Sequence, residues 1–238
     1  MNHAAWLLRA RQRGISLYVV LIVVLLSMLL ALWASRTALL NEMVVGSDAD
    51  YQRAFETAQA LIQDAELDIR HEMPDGSPCN SAQNAGDVCR LATAVHIPDQ
   101  SDDVARVLTI LSRQPTGCLK GLCLKRVGVQ DFWNDHDARS ATAFEKMTAA
   151  DIGARYGQFT GMPARADDPE RRNGWYWIEV LPYDQSSQYK GAVIVGGPTM
   201  ANLGQSHAVF RITAIANGLK AGTEVVLQQT YVNYRLQD

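Results

Sequence analysis

The sequence lacks most of the features that would assign a functional class directly. It has no long proline, serine or glutamine tract of the kind that marks disorder. It also has no nucleophile elbow, zinc-protease helix motif, phosphate-binding loop or dinucleotide fingerprint. The formal net charge is −3, so a basic surface for nucleic acid is not expected. We therefore predict no catalytic residues, no metal site, no cofactor and no nucleic-acid partner.

Charge is missing from one long stretch near the N-terminus. No charged residue occurs from Ile15 to Ser35, and a run of this length can span a bilayer core of about 30 Å. Arg9, Arg11 and Arg13 precede the run, whereas residues 37–238 carry a net charge of −7. Because the basic flank of a membrane helix stays in the cytoplasm, we expect a transmembrane helix over 15–35 and the remaining chain outside the inner membrane.

A basic segment followed by an apolar one has three interpretations: a cleaved secretory signal, a plain membrane anchor, or a helix whose leader is removed by a membrane peptidase. A secretory signal has an apolar region of about 7 to 15 residues followed by small residues. The run here is longer and ends in Leu32, Trp33, Ala34 and Ser35. The secretory interpretation is therefore the weakest, and the apolar run leaves the other two open.

The junction between Gly14 and Ile15 favours the third interpretation. The segment Arg11-Gln12-Arg13-Gly14, followed directly by Ile15, resembles the leader junction of type IV pilins. That resemblance implies that a prepilin peptidase cuts after Gly14. Residues 1–14 would then be a leader peptide, and Ile15 would become the methylated N-terminus of the mature chain.

One position departs from the pilin pattern. Most pilins carry a glutamate at the fifth mature position, where this chain has Val19, and the first acidic residue after Ile15 is Glu42. In the family that glutamate compensates the charged N-terminus of a neighbouring subunit, and an uncompensated charge in an apolar bundle is costly. A subunit without it is a poor repeating unit, so its expected place is the tip of the fibre.

A helical pattern continues beyond the apolar run. Apolar residues recur with a period near 3.6, at Tyr51, Phe55, Ala58, Ile62, Ala65 and Ile69. Gly46, followed by Ser47 and Asp48, predicts a kink or a restart with an N-cap. One broken helix and two separate helices are both compatible with this pattern. We expect residues 36–72 to be an amphipathic continuation that ends before Pro74.

Three stretches resemble the PilX family of type IV pilus minor pilins: Arg36 to Met43, Ala54 to Glu66, and Arg155 to Gly161. The sequence differs from the family's pattern at Val45, Thr57 and Gln59. The resemblance implies a pilin-like α+β fold, in which a long N-terminal transmembrane helix packs on an antiparallel sheet in the head. It also implies a structural subunit rather than an enzyme.

The same resemblance implies partners and a location. The partners would be other minor pilins and the major pilin through the N-terminal helix, a large tip adhesin, and the prepilin peptidase. The protein would pass from the inner membrane to the pilus tip at the cell surface. There it would help to initiate or cap assembly and so support twitching motility and adhesion.

Three rival interpretations stay open. The first is the tip pseudopilin of a type II secretion system, which also lacks the glutamate. The second is a DNA-uptake pseudopilin, against which the acidic balance counts. The third is a single-pass membrane-anchored enzyme or sensor domain of unrelated function. The sequence contains no recognisable set of catalytic residues that would support it.

Four cysteines lie in the predicted extracytoplasmic head, residues 73–238. Cys79 and Cys89 are ten positions apart, and Cys118 and Cys123 form a C-x4-C pair. An even number of cysteines outside the cytoplasm favours disulfides. Of the three possible pairings we favour the local one. A zinc site is the alternative, but no histidine follows at ligand spacing.

Residues 175–236 have the pattern of antiparallel strands. The predicted strands are Trp175 to Leu181, Lys190 to Val195, Val209 to Ile215 and Glu224 to Tyr234, with a turn at Asn217 to Gly222. One face of such a sheet is free to cover the C-terminal half of the helix. Between residues 90 and 170 we expect a short helix near Asp102 to Leu111 within a partly irregular segment.

The last candidate site is an acidic loop around His136. Asp131, Asn134, Asp135 and Asp137 lie close to this histidine, and carboxylates can hold calcium. Because no D-x-D-x-D-G loop is present, the favoured interpretation is a solvated acidic loop. The same interpretation applies to Asp102–Asp103 and Asp167–Asp168.

Overall fold

The computed structural model describes residues 15–79, 87–90, 93–98, 101–127, 130–134, 143–161, 174–182 and 208–233. The helices are α1 Ile15–Arg70, α2 Ser101–Ser112 and α3 Ala143–Thr148. The strands are β1 Cys118–Leu119, β2 Leu122–Leu124, β3 Gly174–Pro182, β4 Ala208–Asn217 and β5 Glu224–Tyr231. Short 3₁₀ turns occur at Val88–Arg90 and Phe132–Asn134. The strand predicted at Lys190 to Val195 lies outside the described residues.

Helix α1 continues through Gly46, where the sequence predicts a kink or a restart. The hydroxyl of Ser47 donates to the carbonyl of Met43 at 3.0 Å. A serine in a helix interior commonly bonds back to the preceding turn in this way. The expected N-cap at Ser47 or Asp48 is therefore wrong, because both residues lie inside one helix.

The chain divides within α1 into two compact units. One unit extends to Ala49, and the other is Asp50–Asp238. The second unit adds the C-terminal part of α1 to the predicted head, and it is called the head from here on. The helix ends in the head at Arg70, because His71 adopts a φ of 56°. The amide of Glu72 donates to the carbonyl of Leu67, and that of His71 to Asp68. This left-handed C-terminal cap satisfies carbonyls that the helix leaves unpaired.

The strands of the described residues form one sheet in the order β1-β2-β3-β4-β5. Strand β3 pairs antiparallel with β4, with Trp177 opposite Thr213, and β4 pairs antiparallel with β5, with Thr213 opposite Gln228. Strand β2 instead pairs parallel with β3. The pilin-like α+β expectation is confirmed: a long helix packs on a mostly antiparallel sheet.

One face of the sheet packs against residues 50–70 of α1. The side chains that meet there are buried and apolar, and they include Ala58, Leu61, Ala65 and Ile69 from the helix and Tyr176, Ile178, Val180, Phe210, Ile212 and Ala214 from the sheet. Helix α2, predicted near Asp102 to Leu111, adds Val104, Val107 and Leu111 to this core. Fully burying each large side chain stabilises the head by roughly 1.5 to 3 kcal/mol.

The other face of the sheet carries a smaller apolar cluster, covered by the Phe132–Asn134 turn and by α3. Phe132 packs edge-on against Trp177 with ring centroids 4.9 Å apart. The indole N–H of Trp177 donates to the carbonyl of Met147 at 3.1 Å. Two layers therefore enclose the centre of the sheet, which explains why β3 carries large apolar side chains on both faces.

Candidate functional site

The helical segment from Ile15 to Ala49 exposes its apolar side chains. Val19 is 52% exposed, and Leu30 and Trp33 are more exposed still. The described part of the chain contains one helix that is long and apolar enough to cross a membrane, and it is α1. The predicted processing site at Gly14 lies outside the described residues, whereas Ile15, Val19 and Ser35 lie on this exposed part of the helix.

Hydroxyl side chains of this segment bond within the helix. The hydroxyl of Ser27 donates to the carbonyl of Val23 at 2.7 Å, and that of Thr37 donates to Trp33 at 3.0 Å. Internal bonds of this kind leave fewer polar groups that need water. The surface of the segment can thus pack against lipid or against other apolar helices.

Within the head, α1 holds a buried ion pair. Asp68 accepts two hydrogen bonds from Arg90, from Nε at 2.8 Å and from Nη2 at 2.5 Å. Arg90 also donates through Nη1 to the carbonyl of Lys120 at 2.9 Å. Its guanidinium lies 3.7 Å from the ring centre of Phe159. One side chain therefore joins the helix, the β1–β2 turn and the loop at residues 155–161.

A second buried carboxylate, Asp64, anchors the loop at residues 155–161. It accepts a hydrogen bond from the amide of Gly157 at 2.7 Å and another from the hydroxyl of Thr160. Both donors belong to the Arg155 to Gly161 stretch that resembles the PilX family, and Asp64 belongs to the Ala54 to Glu66 stretch. Two parts of the sequence that carry the resemblance are thus in direct contact.

Burial changes the acidity of this network. It raises the pKa of Asp64 to about 6, against the opposing hydrogen bonds from Thr160 and Gly157. It also raises the pKa of Tyr176 well above its ordinary value, and the nearby carboxylates of Asp68 and Asp64 add to that effect. The phenol of Tyr176 stays protonated and donates to Asp68 at 3.3 Å.

At the beginning of the head, Asp50 holds the turn between β4 and β5. Its carboxylate accepts from the amides of Leu219 at 2.8 Å and Lys220 at 3.1 Å. A hydrogen bond from Thr223, followed by those two amides, lowers the pKa of Asp50 despite its burial. Gly218 is required for this approach, because a Cβ there would overlap the Asp50 carboxylate and Thr223.

The four cysteines form two disulfides, Cys79–Cys89 and Cys118–Cys123. This is the local pairing that the sequence favours. All four cysteines are bridged, so none is free to act as a thiolate ligand of the zinc alternative. The first bridge lies directly before Arg90, and the second joins the paired residues of β1 and β2.

Only part of the acidic loop is described. Asp131 accepts a hydrogen bond from Asn134 at 3.0 Å, whereas Asp135, His136 and Asp137 lie outside the described residues, as do Asp167 and Asp168. Within the ranges that the structure covers, no group of three or more histidine, cysteine or carboxylate side chains could hold a metal ion.

The buried polar network was not predicted from the sequence. Asp64 and Asp68 are four positions apart on the apolar stripe that includes Ala65 and Ile69. Acidic residues on the buried side of an amphipathic helix require partners, and this signal could have identified them. The position of Arg90 as the partner of Asp68 has no comparable signal, because the two residues meet only through the fold.

Residues 119–233 match the family model described as "Type IV pilus assembly protein PilX C-term". Neither the comparison with curated proteins nor the comparison with solved structures gives a match. The matched region contains β2 to β5 and the loop that Asp64 anchors, and it does not overlap the N-terminal resemblance.

Two separate parts of the chain therefore indicate one family of structural pilus proteins. Together with the apolar segment of α1, this family indicates a location in a membrane or a pilus. Over residues 119–233 the chain belongs to the PilX family of type IV pilus assembly proteins.

Proposed function

We propose that the protein is a minor pilin that initiates or caps the type IV pilus at its tip and so supports twitching motility and adhesion. The observation that carries this proposal is the uncharged, exposed helical stretch from Ile15 to Ser35, with Val19 at the fifth mature position. Such a segment packs against other pilin helices. It offers no carboxylate to the charged N-terminus of a further subunit, which therefore docks poorly.

This role requires processing at the N-terminus. The prepilin peptidase cuts between Gly14 and Ile15, residues 15–35 hold the protein in the inner membrane, and the N-terminus stays in the cytoplasm because of Arg9, Arg11 and Arg13. The head then lies in the periplasm before assembly. Its partners are other minor pilins, the major pilin and a large tip adhesin.

Mass spectrometry of the membrane-extracted protein tests the processing. The expected N-terminus is methylated Ile15 in cells with the peptidase and Met1 in cells without it. An intact leader in peptidase-competent cells would overturn the pilin proposal and favour a plain membrane anchor.

The tip position is tested by restoring the missing charge. Val19→Glu should spread the subunit along the fibre, which immunogold labelling of sheared pili would detect. Val23→Glu places the same charge one turn further along the same helix and should not have this effect. Confinement of Val19→Glu to the tip would contradict the proposed reason for tip placement.

Deletion of the gene distinguishes the pilus from a secretion system. We expect fewer surface pili and reduced twitching. Unchanged piliation with a loss of protein secretion would instead assign the subunit to a type II secretion pseudopilus.

A further inference from the structure

A cavity of about 400 Å³ lies on the sheet face opposite α1. Its lining includes residues from every strand of the described sheet: Cys118, Cys123, Leu124, Trp177, Glu179, Thr213 and Gln228. Trp177, Thr213 and Gln228 are directly opposite one another in the strand register. We call this cavity the cross-sheet groove, because it runs across the strands rather than along them.

The charges around the cross-sheet groove differ in sign from the rest of the head. Lys125, Arg126 and Lys146 line it, and Glu179 is the one acidic residue among the described lining residues. Arg211 neutralises Glu179 through two hydrogen bonds, and the backbone amide of Arg126 donates a third. Residues 37–238 carry a net charge of −7, so the groove is a locally basic site on an acidic protein.

The groove also has an apolar part. Val127 lines it and is 91% exposed, the highest value among the large apolar side chains of the described residues. Phe132 and Trp177 are buried lining residues of the same groove, and the guanidinium of Arg126 lies 4.8 Å from the Phe132 ring centre. An apolar group that contacts Val127 and Leu124 would remove this exposed surface from water.

We propose that the cross-sheet groove binds an extended acidic segment of a partner protein, with its carboxylates at Lys125 and Lys146 and an apolar side chain against Val127. Five strands spaced about 4.8 Å apart give a width near 19 Å, which about six extended residues can span. Gln228 is exposed, and its side-chain amide, which donates to the buried Thr213 at 3.0 Å, provides a polar group for the segment's backbone. This site is separate from the apolar helix and does not depend on tip placement.

The charge distribution favours a peptide over a nucleic acid. A peptide of about six extended residues is no longer than the basic lining of the groove. A polyanion such as nucleic acid extends beyond that lining. A longer polyanion would meet the acidic remainder of the head, which repels it. Its phosphates would also leave the apolar surface of Val127 uncovered.

The test uses the full chain in detergent micelles and a fluorescein-labelled peptide of alternating aspartate and leucine, about eight residues long. Fluorescence anisotropy should show saturable binding that weakens as salt is added. A peptide of alternating lysine and leucine should not bind, and one of alternating aspartate and serine should bind more weakly. Equal binding of the first two peptides would overturn the proposal.

Matched variants locate the site. Lys125→Glu and Lys146→Glu together should weaken binding about tenfold, whereas Arg113→Glu, an exposed charge outside the lining, should leave it unchanged. Gln228→Trp should block the groove. Thr230→Trp, on the same strand and the same face but outside the lining, should not. Circular dichroism establishes that each variant is folded.

Two outcomes contradict the proposal directly. Unchanged affinity in both the double charge reversal and Gln228→Trp would place the peptide elsewhere. Binding of a short single-stranded DNA, with the same dependence on Lys125 and Lys146 and without peptide binding, would assign the groove to nucleic acid. Neither outcome bears on the N-terminal processing or on pilus assembly, so the two proposals fail independently.

Discussion

Asp68 and Arg90 are 22 positions apart in the chain and form an ion pair inside the head, with Nη2 of Arg90 2.5 Å from Oδ2 of Asp68. Their side chains are 2% and 1% exposed. Removing two charges from water is costly, so a buried pair contributes little net stability when intact. Loss of one partner is costly, however, because the other charge then stays buried without compensation. The ion pair therefore fixes the position of the Val88–Arg90 turn against α1.

We predict that Arg90→Met lowers the free energy of unfolding by about 3 to 5 kcal/mol, because it leaves the Asp68 carboxylate buried without a partner. Chemical denaturation of the disulfide-bonded protein measures this change. Arg106→Met is the matched control, since Arg106 pairs with Asp103 at the surface with 60% of its side chain exposed. That control should cost less than about 1 kcal/mol. Equal losses in the two variants would contradict the structure.

The stability of the head should depend on the titration of Asp64. Burial raises its pKa from 3.8 to about 6 in the folded protein, so the folded state binds this proton more tightly than the unfolded state does. The stabilisation from protonation is fully present below the unfolded pKa and is lost as the pH rises through about 6.

Asp64→Asn removes this titration while keeping an oxygen that can accept from Gly157. From about pH 4 to pH 7, the difference in unfolding free energy should shift in favour of the variant by about 2 to 3 kcal/mol. Denaturation across this pH range measures the shift. Asp102→Asn, at an exposed position on α2, should show a much smaller one. A constant difference for Asp64→Asn would show that its carboxylate is not buried as described.

Gly121 should tolerate no side chain. Its φ is +80°, and an added Cβ would lie 2.5 Å from the Cβ of Ala154. Gly121→Ala should therefore cost about 2 to 4 kcal/mol, from the left-handed backbone and the overlap together. Gly222→Ala isolates the backbone part, because Gly222 has a φ of +87° with nothing within 4 Å. It should cost about 1 kcal/mol. Urea unfolding compares the two, and similar losses would exclude the contact with Ala154.

The two disulfides close short loops and should stabilise the head modestly. From loop length, replacing Cys118 and Cys123 with alanine should cost about 2 kcal/mol, and replacing Cys79 and Cys89 about 3 kcal/mol. Thermal unfolding under non-reducing conditions measures both losses. Peptide mapping of the unreduced protein should recover each local pair, and a peptide linking Cys89 to Cys118 would contradict the pairing.

Local patterns in the sequence predicted much of the fold. The long helix, the short helix α2 and the three long strands each repeat a period that neighbouring residues alone define. The strands β1 and β2 were not predicted, because the three residues of Leu122–Leu124 are too few to show a period. The parallel pairing of β2 with β3 was also missed, since it joins Leu122 to Ile178 and no local pattern records that contact.

The membrane-compatible segment needs no tertiary structure to be recognised. Each residue from Ile15 to Ser35 is uncharged, and the transfer of an apolar side chain out of water depends mainly on that side chain itself. The same holds for the missing glutamate at Val19, which is visible in the linear sequence.

The buried network and the cross-sheet groove depend on the folded chain. The environment of Asp64 is set by Gly157 and Thr160, which are 93 and 96 positions away. Likewise, Trp177 and Gln228 line the same groove only after β3, β4 and β5 have paired. The acidity of a carboxylate and the shape of a cavity follow from which distant groups exclude water around them, and that arrangement exists only in the folded head.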